Sequence, residues 1–188
     1  MDNIHTAYIA LGANLSLGDQ LPAQTLHDAL GALVHAGLNL RSVSRFYQTP
    51  CFPVGAGPDY INAVVRIETP LAPRDLLDQL HAIEADMGRA RDTRWGARTL
   101  DLDILDYDGI IAPDAAMVED WMNLPLRDQM GRTPDQLLLP HPRIADRSFV
   151  LVPWADIAPD WAHPITGQTV AQMLAALPAG DLADIAPI

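Results

Sequence analysis

Leu26, Leu30, Leu33 and Val34 recur at the helical period, so Asp19 to about Ala36 is predicted to be an amphipathic helix that Gly37 closes. Before it, Thr6 to Leu11 reads as a short strand, with Gly12-Ala13-Asn14 as a turn. Leu40 to Gln48 is a second strand, ended by Thr49-Pro50, and a loop rich in proline and glycine runs from there to Asp59. Ile61 to Glu68 is a β-branched third strand that alternates only in part. Pro73 stands where a helix would begin, and Leu76, Leu77, Leu80, Ile83 and Met87 make its apolar stripe. Thr99 to Tyr107 alternates as a fourth strand. Strand, helix, strand, strand, helix, strand is the order of the ferredoxin-like α+β plan, with helices packed on an antiparallel sheet.

Beyond this βαββαβ core the pattern weakens. Residues 108–135 carry no strong period and are expected to be a surface excursion. Helices are predicted over Ser148 to Ile157 and Val170 to Leu177, with a short strand pair around Trp161 to Gln168 and a loose tail over 179–188. The whole of 1–188 reads as one domain, since 188 residues are enough for one good core and few for two.

Composition narrows the class. No apolar run is long enough for a membrane span, and the N-terminus has neither a basic start nor an apolar stretch, so no membrane association and no export are expected. A single cysteine, Cys51, leaves no internal disulfide and suits a reducing compartment, which places the chain in the cytoplasm. The net charge of −12 argues against nucleic acid as a partner. All 12 basic residues are arginine, which excludes a P-loop lysine and Schiff-base chemistry.

Arg89, Arg91, Arg94 and Arg98 nevertheless fall within ten residues. Such a cluster either holds an anion or is a solvated charged loop. In Leu100-Asp101-Leu102-Asp103-Ile104 the strand period sends both aspartates to one face, about 7 Å apart, a spacing suited to divalent cations. A lone D-x-D more commonly marks an alternating strand with a wet acidic face. Its neighbourhood changes the weighing, because arginines for phosphate and paired acids for Mg²⁺ are what phosphoryl transfer requires. Gly88 and Gly96 let the segment between them close over a nucleotide. His141, held between two prolines, either faces a ligand or is structural, and Glu84 is either a ligand contact or a solvated acid.

Together these segments resemble the 6-hydroxymethyl-7,8-dihydropterin pyrophosphokinase family. The resemblance is carried by Gly88-Arg89-Ala90-Arg91, Arg94-Trp95-Gly96-Ala97-Arg98-Thr99-Leu100-Asp101-Leu102-Asp103-Ile104, Tyr8 to Asn14, Ser44 to Pro50, Pro58 to Ala63, Leu139-Pro140-His141-Pro142 and Arg147 to Leu151. It implies transfer of pyrophosphate from ATP to the hydroxyl of the pterin, with AMP released, as a step of folate biosynthesis. It also implies that Asp101 and Asp103 bind two Mg²⁺ ions, and that Arg89, Arg91 and Arg98 hold the triphosphate and act in catalysis. Trp95, Glu84, His141 and Arg147 would contact the nucleotide. Thr49, Pro50, Phe52, Asn62 and Trp95 would contact the pterin, whose ring Tyr60 and Phe149 would sandwich. The expected partners are these two small molecules and the expected state is a monomer. Cys51-Phe52, Gln136, Leu138 and Pro142 depart from the family's usual residues. The principal alternative is a Mg²⁺-dependent phosphohydrolase built on the same aspartates, and a binding module without chemistry is the other.

Overall fold

Strand β1 (His5–Ala13) lies between β4 (Tyr60–Thr69) and β5 (Asp101–Tyr107) and pairs antiparallel with both. The computed structural model describes residues 3–51, 57–88, 99–125, 128 and 131–188. On the far side of β4 sit β2 (Asn39–Val43) and β3 (Tyr47–Thr49), end to end along the same strand, and β6 (Ala186–Pro187) lies outside β3. With β2 and β3 taken as one interrupted strand, the order β5-β1-β4-β2/β3 is that of the expected ferredoxin-like sheet.

One face of the sheet carries helix α1 (Pro22–His35) and helix α2 (Pro73–Asp86). Ile9, Leu11, Val65, Ile67, Leu102 and Ile104 point into it against Leu26, Leu33, Leu76 and Leu80, all of them buried. The second face is covered by α4 (Ser148–Ile157) and α5 (Val170–Ala176), where Val64 and Leu105 meet Val150, Leu151, Trp154, Val170 and Met173. Because β4 is covered on both sides, Ala63, Val64 and Val65 are consecutive buried residues, which explains its incomplete alternation.

Several elements differ from their sequence expectation. β1 continues through Gly12 and Ala13, because both pair with β4 and Gly12 also pairs with Asp101. Helix α1 starts at Pro22 and not Asp19, since Leu17 and Gln20 bond to one another across a turn at 3.0 and 3.1 Å. The excursion is not featureless. It holds α3 (Ala115–Met122), capped by the Asp114 carboxylate accepting from Met117 N at 2.9 Å, and Val118 there is fully buried. Ala112 and Leu139 exchange two 2.9 Å backbone bonds, so the excursion leaves and returns at one point. The expected strand pair near Trp161 is reduced to a single bridge, Ala162 with Thr169. The tail expected to be loose instead forms β6, and Ile188 N donates to Phe46 O at 3.0 Å. It finds order because β3 would otherwise leave its backbone groups unpaired at the sheet edge.

The register of β1 with β5 shifts between Tyr8 and Ile9, which leaves Leu105 as an extra residue. Ile104 and Tyr107 thereby face the α1/α2 core while Leu105 faces α4. The Leu105 carbonyl accepts the His141 N–H at 2.9 Å, which anchors the Pro140-His141-Pro142 segment beside the strand bearing the two aspartates.

Candidate active site

Cross-strand partners share a face, so the register assembles the site in rows. Asp103, Ala10 and Val64 form one row, and Asp101, Gly12, Asn62 and Tyr47 form the next, about 7 Å further along the strands. Thr49 stands opposite Tyr60 in a third row. Two strand spacings, about 10 Å, separate Asp101 from Asn62.

Gly12 is the floor between them. A Cβ here would lie 2.8 Å from Asn62 Oδ1 and 3.8 Å from Tyr60 Cδ1, so only glycine lets the Asn62 side chain lie across β1. Asn62 Nδ2 donates to Thr49 Oγ1 at 2.7 Å, and both residues are buried. The two expected pterin-edge residues are thus joined in one unit, and the Tyr60 side chain lies beside it. Pro50 follows Thr49 directly and is half-buried. Sequence reading did not assign Gly12 to the site, although a glycine inside a strand pattern is a known mark of close approach.

At the other end of the trough Asp103 faces Arg147, with Nη1 3.7 Å from Oδ2. Burial pulls the Arg147 guanidinium below its ordinary range, while the charges of Asp103 and then Asp101 oppose that shift. The guanidinium also stands 5.6 Å from the centre of the half-buried Phe149 ring. His141 is drawn into the same group: burial, reinforced by Arg147, pushes its imidazole down to about 3, against an opposing pull from Asp101. It is therefore neutral at physiological pH. Its Nδ1 accepts Arg143 N–H at 3.0 Å, so the ring proton resides on Nε2, which makes that atom a donor. Among the described residues no group of three or more acidic, histidine or cysteine side chains forms a metal cage. Two aspartates alone fit an ion such as Mg²⁺, which keeps water and takes substrate oxygens.

Glu84 is not a solvated acid: it is fully buried, and its Oε1 accepts the Leu102 N–H at 2.7 Å. It supports the strand at the residue between the two aspartates. Asp106, which strict alternation would turn away from Asp101 and Asp103, is returned to their face by the Leu105 bulge and pairs with Tyr8. It is buried and bonded to Gly109 N at 3.2 Å, and burial raises its carboxyl above the usual range. Arg89, Arg91, Trp95, Arg98 and Phe52 lie outside the described residues. Gly88, at φ +82, ends α2 just before the arginine segment, and a Cβ there would come 2.8 Å from Leu17 Cδ1.

Comparison with known proteins bears on this arrangement. The family model of 7,8-dihydro-6-hydroxymethylpterin-pyrophosphokinase (HPPK) matches residues 8–159. A 2-amino-4-hydroxy-6-hydroxymethyldihydropteridine pyrophosphokinase of Haemophilus influenzae is 40% identical over 160 residues, covering 85% of each chain. One from Pseudomonas aeruginosa is 38% identical over 176 residues and covers 93% of each. Among solved structures, Plasmodium falciparum HPPK-DHPS with pteroate superposes with a TM-score of 0.65 at 15% identity, which bears on the fold alone. That match covers 93% of this chain and 43% of the Plasmodium chain.

Proposed function

The chain belongs to the 7,8-dihydro-6-hydroxymethylpterin-pyrophosphokinase family, and from that premise we propose how its residues carry out the transfer. It is a pyrophosphokinase of folate synthesis, with ATP as co-substrate and the hydroxymethyl dihydropterin as acceptor. The phosphohydrolase alternative has no support among the relatives. The observation that carries the residue assignment is the pair of rows across the sheet, with the aspartates at one end and the Thr49–Asn62 unit at the other.

Asp101 and Asp103 would hold two Mg²⁺ ions, which supply charge neutralisation along the ATP phosphates. Arg147 and the Nε2–H of His141 would bind phosphate oxygens from one side. Arg89, Arg91 and Arg98, with Trp95, would also hold the triphosphate, an assignment that rests on their place in the sequence signature. Glu84 would position β5 without touching the nucleotide. Thr49 and Asn62 would read the pterin edge, Tyr60 and Phe149 would flank its ring, and Pro50 and Phe52 would contact the pterin, Phe52 by its place in the sequence alone. The substrate hydroxyl attacks the β-phosphorus in line, the bond to the α-phosphate oxygen breaks, and AMP departs. No enzyme group becomes covalently attached, so positioning and charge compensation carry the rate.

We further read 1–188 as one domain that acts as a monomer on these small molecules, without nucleic acid; the acidic balance supports the last point. Among the described residues no helix is long and apolar enough to cross a membrane. The lone Cys51 supports a cytoplasmic location.

Incubation with ATP, Mg²⁺ and the reduced hydroxymethyl pterin should release AMP in step with the pterin diphosphate. Release of ADP or free phosphate would overturn the reading. Gly12→Ala should raise the pterin KM at least fivefold while the ATP KM stays within twofold, because the added methyl displaces Asn62 from Thr49. Steady-state kinetics with each substrate varied in turn checks this, and an unchanged pterin KM would remove Gly12 from the site.

A further inference from the structure

Helix α4 crosses the second face of the sheet from one site wall to the other. Arg147, at its N-cap, meets Asp103 of β5. At its last turn Asp156 accepts three bonds from Arg45: backbone N at 3.1 Å, Nε at 3.1 Å and Nη2 at 2.7 Å. The Tyr47 hydroxyl, on β3, lies 2.9 and 3.0 Å from the two Asp156 oxygens. The dimensions agree: nine helical residues rise about 13.5 Å, and the three strand spacings from β5 to β3 are about 14 Å.

Neither Arg45, Tyr47 nor Asp156 has a part in the chemistry assigned above, although Tyr47 ends the row that holds Asp101 and Asn62. What it holds is β3. That strand is only three residues long, is separated from β2, and ends at Thr49, which accepts the Asn62 amide. Tyr47 and Thr49 are two residues apart and so share a face. The helix is the fixed partner, because Val150, Leu151 and Trp154 are buried in the second core. Arg45 beside Asp156 also holds that carboxyl below the usual range, and the Tyr47 hydroxyl adds to the effect.

We propose that Asp156 is a positioning residue: it sets Thr49 at a fixed distance from the Asp103–Arg147 wall by clamping Arg45 and Tyr47 to the last turn of α4. The pterin edge is thereby aligned with the phosphate end of the trough. The proposal rests on the reading of Thr49 and Asn62 as the pterin edge.

Two variants test it, because one change at Asp156 could act through stability alone. Asp156→Asn keeps the shape of the acceptor but loses its charge. Arg45→Gln alters a side chain that is 64% exposed, so the fold has little to lose. Both should raise the pterin KM, at least fivefold for Asp156→Asn and at least twofold for Arg45→Gln. The ATP KM should stay within twofold, and Arg45→Gln should melt within two or three degrees of the parent. Asn62→Ala serves as the reference for the pterin edge. If Asn62→Ala raises the pterin KM and the clamp variants do not, the clamp proposal alone is overturned. Proportionate rises in both KM values would also overturn it, by showing a merely structural role. If Asn62→Ala leaves the pterin KM unchanged, the pterin-edge reading fails and the clamp falls with it.

Discussion

Asp101→Asn or Asp103→Asn is expected to lower turnover at least a hundredfold at saturating Mg²⁺ while leaving the fold in place. A hundredfold corresponds to about 2.7 kcal/mol of transition-state stabilisation. That lies within what removal of a metal ligand at a phosphoryl-transfer centre withdraws, since charge neutralisation there is worth several kcal/mol. Structural survival follows from the strand itself. Leu102 and Ile104 anchor β5 in the α1/α2 core, and Glu84 holds the Leu102 N–H from behind. The aspartates stand on the opposite face, and the Asp103 side chain is 40% exposed beside Arg147. Urea denaturation should therefore show a midpoint near that of the parent. Near-normal turnover for either variant would remove it from the metal site.

Phe149→Ala should separate pterin recognition from nucleotide recognition. Replacing a fully buried aromatic costs roughly 3–5 kcal/mol of stability. Trp154, with no exposed surface, is in that position at the centre of the second core. Phe149, on the first turn of α4, is half-buried at the edge of that core, beneath the Arg147 guanidinium. Its truncation should therefore cost roughly half as much, about 1.5–2.5 kcal/mol. Stacking against a flat heteroaromatic contributes about 0.5–1.5 kcal/mol beyond burial, so pterin affinity should fall by about twofold to tenfold. ATP affinity should change less than twofold. Calorimetric titration of the pterin with a non-reactive ATP analogue, beside a thermal melt, measures all three. Equal loss of both ligands, or a melt lowered as for a core residue, would return Phe149 to the core.

These two residues also show what was legible in the chain. The D-x-D alternation placed Asp101 and Asp103 on one face correctly, because a period of two is a property of the backbone and needs no partner. Helix α4 was bounded at Ser148 and Ile157 as observed, and Pro73 marked the start of α2. The role of Glu84 was not legible. A carboxylate on a helix reads as solvated until the N–H that it accepts, 18 positions away on an edge strand, is known.

Composition and local periodicity thus determined the order of the βαββαβ core, most of the apolar stripe of each core helix (Val34 is exposed) and the face bearing the acids. The tertiary structure decided how those faces are registered. The Leu105 bulge gives His141 its backbone acceptor. Pairing of β1 with both neighbours turns Gly12 from a supposed turn into the floor of the trough. Pairing of Tyr47 with Pro187, 140 positions away, turns a supposed tail into an edge strand. Local pattern encodes which side of an element is apolar, since burial repeats with the element's own period. A bulge, a close backbone approach or an edge pairing depends on residues remote in sequence, and its free energy exists only once those residues have met.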